Sequence, residues 1–190
     1  RARFVRALRE ACRRPQLQLI VGLALFLLTI GGFMLVVKCA ELLLSDEVRA
    51  QLHHVRAQAA AYGLSSSQPA AVGLISAWFL AVNPTLEELF WRIYLHDALT
   101  QLVCAKTSSR GGLGVLLATS ALYASYHSSV LFVFLEAPVA VAMLFGLVGY
   151  GAFLQILADR IGVGAAILAH TGGDAVVIIG LTDAIWDFYR

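Results

Sequence analysis

A handful of side chains able to transfer protons interrupt long apolar runs, at spacings that sort them onto helix faces. In the stretch NPTLEELFWRIYL (83–95), Glu87 and Glu88 are adjacent and Arg92 follows. Glu88 and Arg92 are four apart, so in a helix they share a face and can pair. Glu87 is turned about 100° away and lies five residues from Arg92, outside that geometry. Arg92 can therefore neutralise Glu88 and leave Glu87 free to exchange a proton, the task of a general base. The bland alternative is a Glu–Arg lock between helices, with Glu87 merely part of the network.

Two further constellations follow. In YASYH (123–127), Tyr123 and His127 are four apart and share a face. In HTGGD (170–174), His170 and Asp174 do the same, and Gly172 and Gly173 leave room beside them for another helix or a substrate backbone. His96 is a further titratable group in an apolar run. A lone histidine in such a run is ordinarily a core residue bonded to a neighbour. Depth argues for a shared site. At about 1.5 Å per residue, Glu87 lies about 25 Å into its stretch, His127 about 22 Å and His170 about 14 Å into theirs. A tilt or kink at Pro84 brings all three to the middle of one bundle.

The elements that must position them are membrane helices. The chain of 190 residues is 59% apolar and 14% charged, with mean hydropathy +0.78, against roughly half and a quarter in ordinary globular domains. Charged side chains cost at least about 2.5–3.5 kcal/mol each at the centre of a span, so those present face inward, pair or act. A basic arm (1–15) with six arginines and one glutamate precedes an uncharged run over 16–37. That run is long enough to span hydrocarbon and too long for a signal-peptide core, which predicts a retained first span. The positive-inside rule then puts the arm on the cytoplasmic or equivalent side. Residues 38–68 read as an amphipathic extramembrane segment lying on the interface. The catalytic-type residues fall in 69–182, which holds four more apolar stretches, and 183–190 form a polar tail. The expected fold is all-α: a polytopic bundle of about five spans plus one interfacial helix, with the lipid bilayer as its first partner.

Composition also excludes. A net charge of +2 without a basic aromatic surface argues against a nucleic-acid partner. Cys12, Cys39 and Cys104 are odd in number and scattered, matching neither a metal pair nor a disulfide framework.

Taken together, EELFWR (87–92), YASYH (123–127) and HTGGD (170–174) resemble the EExxxR, F/YxxxH and HxxxN/D signature of the CPBP (Abi, or type II CAAX-protease) membrane-protease family. The resemblance implies an intramembrane glutamate-type endopeptidase without a cofactor, acting on a membrane-associated peptide or a prenylated, CAAX-like protein. By that analogy Glu87 and His127 activate a water, and His170, helped by Asp174, stabilises the oxyanion. Glu88, Arg92 and Tyr123 support the site. The chain departs from the prenyl-protein proteases at Asp174, where they carry Asn. An ionised carboxylate cannot donate to an oxyanion. Asp174 therefore either orients and charges His170 or is itself protonated, and the departure counts against a CAAX substrate more than against proteolysis.

Other readings differ in class. Glu87, His127 and His170 would also suit a catalytic zinc, although no HExxH is present. A scaffold keeping the fold without catalysis, or a proton-relay transporter, would use buried carboxylates and histidines differently.

Overall fold

The computed structural model describes residues 14–43, 45–106 and 112–186. Most of the basic arm, the 107–111 turn and the end of the polar tail lie outside the described residues. Every regular element among those described is helical. Helix α1 spans Pro15–Leu43 and α2 spans Ser45–Ala61. The next stretch is one long helical run: α3 (Pro69–Ala77), a π-helical turn (Trp78–Val82), α4 (Asn83–Glu88), a second π-helical segment (Leu89–Leu95) and α5 (His96–Lys106). Helices α6 (Gly112–Phe134), α7 (Ala137–Arg160) and α8 (Val163–Trp186) complete the chain.

Five of these segments are long and apolar enough to cross a bilayer: Pro15–Cys39, Pro69–Val103, Gly112–Phe134, Ala137–Arg160 and Val163–Trp186. Leu19, Ile20, Leu27, Leu28, Leu35 and Phe145 point outward. Such a belt would be an aggregation surface in water and is the ordinary exterior of a bundle in lipid. The chain is an integral, multi-pass membrane protein.

With no hydrophobic drive between helices in lipid, close packing depends on small residues. Helix α8 supplies Ala165, Ala166 and Ala169, buried with Leu154 and Leu157 of α7. Helices α1 and α8 run parallel, since contacts pair Gly22 with Leu168 and Phe26 with Gly172. The side-chain carbonyl of the buried Gln18 accepts from Gly164 N–H, in the first turn of α8, at 2.8 Å. That bond satisfies one of the unpaired donors every helix start leaves.

Helix α2 ends in a Schellman motif: Gly63, at φ +79°, bonds Ala60 O, and Leu64 N–H reaches back to Ala59 O. Arg56 of α2 donates to Ala184 O at the end of α8, and Gln51 donates to Phe134 O at the end of α6. Helix α2 thus packs against one end of the bundle. The Arg56 contact uses a residue beyond 182: the helix continues through 183–186, into what reads as a polar tail, and Ala184 is fully buried there.

Around Pro84, where a tilt or kink is expected, the backbone changes its winding. Asn83 N–H bonds Trp78 O and His96 N–H bonds Trp91 O, both five residues back. Pro84, which has no amide hydrogen to donate, opens the short α4 at its tolerated first turn. Winding at five-residue spacing on both sides re-phases the run around Glu87 and Glu88, as π-bulges near functional sites commonly do.

Candidate active site

The three constellations meet. Glu87 and Glu88 come from α4, Arg92 from the second π segment, Tyr123 and His127 from α6, and His170 and Asp174 from α8. Arg92 Nε donates to Glu88 Oε2 at 3.0 Å and Nη2 to Oε1 at 3.4 Å, with both side chains fully buried. The guanidinium also lies 4.8 Å above the Tyr123 ring, a cation–π contact. The i,i+4 pairing expected of Glu88 and Arg92 is therefore present even though the helix winds differently beyond Glu88.

Glu88 has a second partner. His170 Nδ1 lies 2.9 Å from Glu88 Oε1, so the ring donates its Nδ1–H to the carboxylate and turns Nε2 into the site. Around Nε2 stand Tyr123 Oη at 3.4 Å, Asp174 Oδ1 at 3.6 Å and Glu87 Oε2 at 3.9 Å.

His127 is oriented by its own helix. Nδ1 lies 2.8 Å from Tyr123 O, and a carbonyl only accepts, so Nδ1 carries the proton. In the neutral ring Nε2 then holds a lone pair, and it faces Glu87 Oε2 at 3.6 Å. Glu87 Oε1 accepts from Asn83 Nδ2 at 3.0 Å, whereas Oε2 is buried without a hydrogen-bond partner. Asp174 Oδ2 is in the same condition. Buried carboxylate oxygens are normally satisfied, so these two are exceptions within one small cluster.

Not every candidate converges. His96 stands away, with Nδ1 3.5 Å from Thr119 Oγ1. The room beside Gly172 and Gly173 is taken by protein: a Cβ at 172 would meet Phe26 Cα at 2.9 Å, and one at 173 would meet Tyr150 Oη at 3.2 Å. These glycines admit helix α1 and a tyrosine, not a substrate backbone. Tyr150 itself donates to Ala169 O at 2.8 Å, one residue before His170.

Sequence reasoning passed over Asn83 and Tyr150. Asn83 had a usable signal, since it precedes Glu87 by the same four residues that link Glu88 to Arg92. Tyr150 had none, because its partner lies on another helix. Among the described residues, no group of three or more His, Cys, Asp or Glu side chains is arranged to hold a metal ion.

Such a site, carboxylates and imidazoles buried among membrane helices, defines an intramembrane class of protein. A comparison with protein-family models matches residues 69–176, more than half of the chain, to "Type II CAAX prenyl endopeptidase Rce1-like". The chain belongs to this membrane-endopeptidase family, and the matched region contains every site residue named above. Comparisons with curated proteins and with solved structures gave no match.

Proposed function

We propose that the protein is a metal-independent endopeptidase in which Glu87 and His127 activate water against a peptide bond of a membrane-associated or prenylated, CAAX-like substrate. The observation that carries this reading is the unpartnered Glu87 Oε2, 3.6 Å from the His127 nitrogen that bears a lone pair. Two acceptors at that separation cannot bond each other directly. A water about 2.8 Å from each would donate one hydrogen to either, leaving its oxygen lone pairs free for attack. Glu87 takes the proton as the water oxygen bonds the carbonyl carbon, and the same proton passes to the amide nitrogen as the C–N bond breaks.

His170 serves the opposite side of the reaction. Glu88 fixes its Nδ1–H, so a proton on Nε2 points toward the developing oxyanion. Asp174, with Oδ1 3.6 Å from the same nitrogen, stands beside the donor and orients and charges that ring rather than donating itself. Arg92, Glu88 and Tyr123 hold α4, α6 and α8 in register. Water exclusion by the bundle strengthens each of these charges. We also infer that the end of the bundle bearing Arg14 and Arg160 faces the cytoplasm or its equivalent, by the positive-inside rule.

Direct attack by water makes a distinct forecast. Cleavage in the presence of hydroxylamine yields only the free C-terminal acid, and a chelator leaves the rate unchanged. A trapped hydroxamate would reveal an acyl-enzyme, and loss of activity on chelation with recovery on adding zinc would reveal a metal. Either result overturns the proposal.

A further inference from the structure

Glu87 has two carboxylate oxygens, and only one of them faces the imidazoles. The cause is local. The backbone at Asn83 is tied by the five-residue bond from its N–H to Trp78 O, and Pro84 follows immediately. From that fixed point the Asn83 side chain, half-buried, donates Nδ2–H to Glu87 Oε1 at 3.0 Å. Glu87 is an acceptor-only group when ionised, and a neutral amide N–H satisfies its oxygen without adding charge.

We propose that Asn83 is a positioning residue of the site: its amide pins Glu87 Oε1 and so aims Oε2 at the water held with His127. The inference rests on the proteolytic reading above and adds a residue to it. Asn83 touches no reacting atom and acts through the rotamer of Glu87. Serine at 83 would be too short to span the turn, and aspartate would keep the shape while removing the donor and adding like charge.

The shape-preserving substitution supplies the test. Asn83→Ala and Asn83→Asp are purified beside wild type, and kcat and KM are measured on a peptide that wild type cleaves. Misplacement of a reacting group by about 1 Å costs on the order of a hundredfold in rate. Both variants are therefore expected to lose about 10- to 100-fold in kcat, with KM within about threefold of wild type. Asn83→Asp should be at least as impaired as Asn83→Ala, whereas a residue that only fills space would be rescued by its near-isostere. If Asn83→Ala fails to fold, the aspartate variant decides alone. Retention of kcat within about twofold in Asn83→Asp, or a rise in KM at unchanged kcat, overturns the assignment of Asn83 and leaves the proteolytic reading standing. A folded wild type that cleaves nothing overturns that reading and this one with it.

Discussion

Glu87 and Glu88 are neighbours of identical chemistry, and the structure assigns them opposite sensitivities to the same substitution. Glu88 is fully buried and accepts from Arg92 Nε, Arg92 Nη2 and His170 Nδ1. Glu88→Gln keeps the volume but removes the charge, leaving a buried guanidinium that already has Nη1 without a partner. Breaking a buried ion pair from one side costs about 3–5 kcal/mol. Glu87 accepts one bond, from the neutral Asn83 amide, and its other oxygen accepts none. Glu87→Gln retains an acceptor for Asn83, so its cost is about 1 kcal/mol or less. For a chain of this size a kcal/mol corresponds to roughly 2–4 °C in midpoint. Thermal unfolding in detergent, followed by the loss of the monodisperse fraction, should show Glu88→Gln lower than wild type by roughly 6–20 °C and Glu87→Gln within a few degrees. Equal midpoints for the two variants, or a greater loss in Glu87→Gln, would refute the division of labour.

Other expectations follow from the same geometry. His127→Ala should lower kcat by about 10²–10⁴-fold at near-normal stability, measured on any cleaved peptide, because it removes one of two proton acceptors for the water. Asp174→Asn should keep kcat within about tenfold of wild type, since an amide beside Nε2 can itself donate to the oxyanion, whereas Asp174→Ala should lose about a hundredfold. Gly172→Ala should cost about 1–3 kcal/mol by forcing α1 from α8, read as a lowered unfolding midpoint, because the new Cβ would stand 2.9 Å from Phe26 Cα.

Much of the architecture was legible because lipid imposes a simple rule: runs of apolar residues of spanning length become helices. The five spans follow from that rule, and the connecting helix from its amphipathic mixture of charged and apolar residues. The split between Glu87 and Glu88 was legible for the same kind of reason, since Glu88 and Arg92 sit at a spacing that a helix converts into a contact. The π-helical winding around Pro84 was not, because a five-residue hydrogen bond leaves no periodic mark in so short a segment. Nor was the bond between Glu88 and His170, which joins residues 82 apart and is fixed only by how α4 packs on α8. Gly172 and Gly173 illustrate the limit from the other side. Their smallness announced a close approach, but whether a helix, a tyrosine or a substrate approaches depends on α1 and α7, which the motif itself does not describe.

We propose that Glu87, without a metal, drives hydrolysis inside the bundle. The most direct test is a small peptide panel, one prenylated CAAX peptide among them, incubated in detergent with purified wild type and Glu87→Gln, with and without a chelator. Cleavage by wild type should survive the chelator and disappear in Glu87→Gln while that variant stays folded. Undiminished cleavage by Glu87→Gln, or wild-type cleavage that chelation abolishes and zinc restores, would contradict it.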